Sequence, residues 1–132
     1  MKYLYLVCRI LLGVFFMFFG LNAFHPMMHM EMPPASTPPG MFMSVMGPSG
    51  WMHHVAVLQF IGGLLVLLGG TAPLGLVILG PIIVNILLFH ILLTGGAGIG
   101  GGIIATVLEL ILIYAYRANF TGIFTYKAKP TA

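Results

Sequence analysis

Long apolar runs, separated by short polar or glycine- and proline-rich segments, set the pattern of this chain. Four runs approach the ~20 residues a helix needs to cross a hydrocarbon core: about 3–24, 52–70, 73–93 and 99–117. In three of them, small and polar residues recur at helical spacing on one face and leave Ile, Leu, Val and Phe on the others. In the first run Arg9, Gly13, Phe16 and Gly20 align. In the second the face is Gln59, Gly62, Gly63, Val66 and Gly70, and in the fourth Gly102, Ala105, Thr106, Glu109 and Tyr116. Small residues let neighbouring backbones approach closely, which matters where lipid removes the hydrophobic drive between helices. The pattern predicts an all-α integral membrane protein, a single domain built as an antiparallel four-helix bundle.

The segments between the runs fit that plan. Asn22 closes the first run before Pro26. The stretch 25–51 then carries six prolines and three glycines and no Lys or Arg, which argues against a long regular helix. It predicts a surface loop, with at most a short interfacial turn over Met41–Met46. Thr71-Ala72-Pro73 reads as a tight turn, with Pro73 in the first turn of the next helix, where a missing N–H is harmless, and Thr71 as a candidate cap. Pro81 predicts a kink in the third run, with Asn85 one turn beyond it and His90 near the far end. Residues 94–102 form a glycine-rich connection into the fourth run.

Composition sharpens the class. Of 132 residues 60% are hydrophobic and 5% charged, against about a quarter charged in soluble domains; the mean hydropathy is +1.10. The pI of about 9.3 rests on five Lys and Arg without a cluster, so a nucleic-acid partner is excluded and the lipid bilayer is the expected one. Lys2, Arg9, Arg117, Lys127 and Lys129 all lie near the two termini. The positive-inside rule then puts both termini in the cytoplasm and the 25–51 loop outside. A signal peptide is the competing reading of the first run, but Arg9 interrupts it and no A-x-A-type site precedes His25, so a retained helix is expected. The lone Cys8 excludes an intramolecular disulfide and a cysteine-based zinc site, and is expected to be a buried, inert thiol.

Few residues carry chemistry. Glu109 is an acid near the middle of an apolar run, a placement costing about 2.5–3.5 kcal/mol on the translocon scale unless it faces protein or water. Arg9 lies about 9 Å along its helix from Tyr3, and Glu109 about 12 Å from Arg117 at the same end. These depths predict an Arg9–Glu109 pair, whose plainest role is to fix helix register. Gln59 and Asn85 read first as interhelical hydrogen-bonding residues and His90 as an interfacial one; together they are candidates to line a site for a lipid-soluble headgroup. His25, Met27, Met28, His29, Met30 and Met32, with His53 and His54 at the loop's other end, offer thioether and imidazole donors suited to copper, Cu(I) in particular. The simpler alternative is a flexible Met-rich loop covering the helix ends. No catalytic or phosphate-cradling motif is present; G-x-G-G-G at Gly98–Gly102 follows no strand.

Four short motifs carry a family likeness: R-I-L-L-G-x6-G-L-N from Arg9, L-Q-F-I-G-G-L-L-V-L-L-G from Leu58, P-I-I-V-N-I-L-L-F-H from Pro81 and E-L-x-L-x-Y-A-Y-R from Glu109. Over nearly its whole length the chain resembles the DoxX-like membrane proteins. The resemblance implies a small subunit of the bacterial cytoplasmic (inner) membrane, associated with partner redox proteins and with electron delivery to quinone. The family's second-helix motif often carries Glu where this chain has Gln59, which argues against proton handling there. The first loop is also richer in Met and His than the shorter, Pro-rich loop of relatives. Three functions follow: a quinone-interacting redox subunit, a structural or assembly protein without chemistry of its own, and a copper-handling protein.

Overall fold

The computed structural model describes residues 1–131, and all regular structure among them is helical. Five α-helices follow in order: α1 Lys2–Asn22, α2 Pro38–Met46, α3 Trp51–Leu68, α4 Ala72–Leu88 and α5 Gly100–Ala115. A π-helical turn, Phe89–Leu93, continues α4, and two 3-10 turns, Arg117–Asn119 and Thr121–Phe124, follow α5. Helices α1 and α3 and the continuous segment Ala72–Leu93 are long and apolar enough to cross a membrane. Helix α5 is apolar but has 16 residues, about 24 Å. It is shorter than the 99–117 run because the chain leaves α-helical geometry at Tyr116 and tightens into the 3-10 turns.

Glycine sets the packing. A Cβ on Gly13 of α1 would stand 2.8 Å from the Gly63 carbonyl of α3, and one on Gly63 would stand 2.7 Å from the Gly13 carbonyl. The two backbones therefore touch, and farther along Gly20 meets the Ala56 carbonyl in the same way, at 2.7 Å. Gly75 brings α4 against the Gly62 carbonyl of α3, again at 2.7 Å, and Gly102 brings α5 against Ile86 and Leu87 of α4. Every one of these pairs is antiparallel. Leu12, Phe16, Val66, Leu76, Leu79 and Leu112 fill the fully buried centre, while Val7, Val14, Val77, Ile104 and Leu110 are half exposed or more on the outside. An apolar exterior around a small-residue interior has the character of a helical membrane protein.

The antiparallel order leaves two distinct ends. The N-terminus, the α3–α4 turn and the residues after α5 share the terminal end; residues 23–50 and 94–99 share the loop end. All five tyrosines lie toward the terminal end and Trp51 at the loop end, as amphipathic rings do at membrane–water interfaces.

Two local expectations change. Residues 38–46 form a full helix rather than a short turn. Thr37 Oγ1 accepts from the Gly40 N–H at 3.4 Å and donates to the Pro34 carbonyl at 2.6 Å. Pro38 and Pro39 occupy the first helical turn, where a missing N–H is not needed, so these prolines start a helix instead of preventing one. The Phe42 ring then rests 5.3 Å from Phe89. Thr71 does stand at the start of α4, but its side chain donates backward to the Leu65 carbonyl at 2.8 Å and closes the end of α3 instead. Pro81 lies inside α4, which runs through it as one helix.

Candidate functional site

Glu109 is the buried charged side chain of this fold, 4% exposed, and neither carboxyl oxygen has a hydrogen-bond partner. Gly102, Ala105 and Leu112 put α5's buried face toward its neighbours, and Glu109 on that face turns toward α4. Its Oε1 lies 3.7 Å from where a Cβ on Gly80 would stand. There it forms part of a groove of about 270 Å³ with Val77, Gly80, Pro81, Phe120 and Phe124. The volume is close to the ~300 Å³ at which small-ligand pockets begin. Pro81 has no N–H, so the Val77 carbonyl lacks its usual helical donor. The groove thus combines an almost wholly apolar lining with a bordering carboxyl group that has no partner. Only Glu109 among these was singled out from sequence. The available signal was Gly-Pro in mid-helix, which frees space and a carbonyl at one level.

The expected Arg9–Glu109 pair does not form. Arg9 Nη1 donates to the Tyr116 hydroxyl at 3.5 Å, and that hydroxyl donates to the Gly69 carbonyl at 3.3 Å. The guanidinium fills the space a side chain at Gly69 would need, and Gly69 has φ +86°, a conformation natural to glycine. The register between the helices differs from the one the depths imply: Arg9 meets Tyr116, about two turns beyond Glu109 on α5. Arg9 turns toward the α3–α4 turn and Glu109 toward α4. Arg117 stays at its own helix end, donating to the Tyr114 carbonyl at 2.8 Å with its guanidinium 4.3 Å from that ring's centre.

Two of the three expected headgroup residues, Asn85 and His90, hydrogen-bond locally. Asn85 is exposed, and its Nδ2 donates to the Pro81 carbonyl one turn back at 2.9 Å, so it serves its own helix rather than a neighbour. His90 sits in the π turn and Nδ1 donates to the Ala97 carbonyl at 2.8 Å. Thr94 Oγ1 lies 2.7 Å from the His90 carbonyl and 2.9 Å from that of Ala97. His90 therefore holds the glycine-rich connection closed. Gln59 is half-buried on α3.

At the loop end Asn22 organises the start of the Met-rich segment. Its Oδ1 accepts from the N–H groups of Met27 and Met28, both at 2.8 Å, and its Nδ2 lies 3.9 Å from the Met30 sulfur. The Phe24 and His53 rings stand 5.1 Å apart, so the two ends of the loop do meet. His54 Nδ1 donates to the Gly50 carbonyl at 2.9 Å. His25, His29, Met28 and Met32 are exposed. Among the described residues no three His, Cys, Asp or Glu side chains are grouped to hold a metal ion. Cys8 is buried and free.

These contacts predict how the charges respond to substitution. Arg9→Gln and Glu109→Gln should add in detergent unfolding within about 0.5 kcal/mol, as non-contacting sites do, whereas Arg9→Gln with Tyr116→Phe should not. Glu109→Leu should raise stability by roughly 1–3 kcal/mol, by removing a buried polar group that has no partner. A coupled Arg9–Glu109 cycle would restore the direct pair.

Comparison with family models, with curated proteins and with solved structures finds no match.

Proposed function

We propose that this chain is an antiparallel four-helix bundle of the DoxX type in the bacterial inner membrane, with both termini cytoplasmic, and that it is a quinone-interacting subunit of a redox system. The Glu109 groove is where the headgroup binds. One observation carries the proposal: a carboxyl group buried at membrane depth keeps no protein partner and borders an apolar groove. Intramembrane acids otherwise pair within the protein or mark a site of function.

The donor and acceptor pattern suits a quinone couple. A protonated Glu109 donates to a quinone carbonyl. The carboxylate accepts from a quinol hydroxyl. Glu109 can thus hold one of the two protons that quinone reduction consumes or quinol oxidation releases, with the two electrons exchanged through a partner. The chain carries one cysteine and no haem- or cluster-binding motif, so the electrons are exchanged with a partner redox protein. Phe120 and Phe124, on the turns after α5, supply aromatic surface for the ring. This assignment moves the site from Gln59, Asn85 and His90 to Glu109. The DoxX resemblance supports the redox setting, and the apolar exterior supports the membrane placement.

The topology rests on charge: five Lys and Arg toward the terminal end and none between 25 and 51. A membrane-impermeant thiol reagent on intact cells should label a cysteine placed at Ser36 and not one placed at Thr131. The reverse pattern overturns the orientation.

For the ligand, gentle purification from native membranes should retain quinone near one equivalent. Glu109→Ala and the groove-filling Gly80→Leu should each lower retention tenfold or more, while His90→Gln should not. Equal retention in all four proteins sinks the assignment. Quinone-free protein with a stoichiometric partner protein favours the assembly function instead.

A further inference from the structure

Arg9 is a second unsatisfied charge, and its surroundings differ from those of Glu109. The sequence contains two acidic side chains, Glu31 and Glu109. Glu31 lies in the loop at the opposite end, and Glu109 faces the α4 groove. No acidic side chain therefore neutralises Arg9 among the described residues. The guanidinium's one side-chain hydrogen bond goes to the neutral Tyr116 hydroxyl at 3.5 Å, and its Nε is buried with no partner. Arginine presents five donors in a planar fork matched to carboxylate or phosphate. Most of that fork is unused here.

A groove of about 400 Å³ opens beside it, lined by Lys2, Tyr3, Tyr5, Leu6, Arg9 and Tyr116. Two cations and three phenols face a space whose lining holds no acid. Along α1 Arg9 lies about 10 Å beyond Lys2, so the groove runs from the helix start to the depth of the guanidinium. Long basic side chains at such depth reach outward to the interface. Basic pockets between helices on the cytoplasmic face attract anionic headgroups.

We propose that the groove between the start of α1 and the end of α5 binds the phosphate of an anionic phospholipid, which supplies the counter-charge Arg9 lacks. Arg9 and Lys2 provide the charge, and the hydroxyls of Tyr3 and Tyr5 donate to phosphate oxygens. Leu6 and Ala115 give the groove an apolar side for the first acyl carbons. That apolar side favours a lipid over free phosphate. The proposal rests on the membrane placement above but not on quinone at Glu109.

The test uses the full chain in nanodiscs of mixed phosphatidylglycerol and phosphatidylcholine, released in mild detergent and weighed by native mass spectrometry. The expected result is retained phosphatidylglycerol several-fold above its share of the bilayer. Lys2→Gln, at an exposed position, should reduce that enrichment, and Arg9→Gln with Lys2→Gln should abolish it. Lys127→Gln with Lys129→Gln, outside the groove, should leave it unchanged. If the Arg9 variant does not fold, Lys2→Gln and Tyr3→Phe still decide the matter. Bulk lipid composition on the wild-type protein, or enrichment indifferent to Lys2, overturns the proposal. Displacement of the lipid by millimolar inorganic phosphate overturns it in favour of a free-anion site. A protein that stays soluble without detergent or lipid overturns the membrane placement itself.

Discussion

Helices α1 and α3 touch backbone to backbone where Gly13 meets Gly63, with carbonyl oxygens standing where side chains would otherwise begin. In lipid such contact is a main source of helix association, because burying an aliphatic side chain against another gains little over burying it in acyl chains. The consequences run outward from that seam. Close approach carries the Arg9 side chain onto the Gly69 turn, which accepts it only because glycine stands there. Gly75 repeats the device between α3 and α4, and α5 is left to close against α1 and α4. Its acid then faces α4.

The packing thus leaves the two charges apart, Arg9 at the level of Tyr116 and Gly69 and Glu109 about two turns away beside Gly80. A direct pair would have neutralised both and left a structural clamp. Instead each borders its own groove toward the terminal end, one nearly apolar with a carboxyl group, the other basic and rich in phenols. Unsatisfied groups at membrane depth are costly, and the chain keeps two of them where a ligand can meet each. A lipid-soluble headgroup suits the first and an anionic phosphate the second. Under the binding proposed above, stability is given up at those two places, a trade common at functional sites.

Much of the fold was legible in the sequence, since apolar run length and small-residue spacing report on the two things lipid demands: enough length, and a face that allows close approach. Gly13, Gly20, Gly62, Gly63 and Gly102 all stand on the small-residue faces the sequence displays, and all are buried. The misses have a common cause. Height above a helix's own end is linear in sequence, but the register between helices and the direction a side chain takes depend on which neighbour packs where, so Arg9 meets Tyr116, about two turns from Glu109. The loop helix was hidden because proline was counted as a breaker, although Thr37-Pro38-Pro39 places it where helices tolerate it. Asn85 reads first as an interhelical hydrogen-bonding residue and His90 as an interfacial one; in the fold each satisfies a carbonyl on its own segment, at Pro81 and Ala97. The Glu109 groove was half visible, its acid plain and its wall unread in Gly80-Pro81.

At the centre is the claim that the Glu109 carboxyl is free for a headgroup in the bilayer. Infrared difference spectroscopy on quinone-loaded protein in nanodiscs, recorded across electrochemical reduction, reads that group directly. The account predicts a carboxyl C=O band that shifts when the quinone is reduced, moves on carbon-13 labelling of glutamate and is lost in Glu109→Gln. Identical difference spectra from the wild type and Glu109→Gln would contradict it.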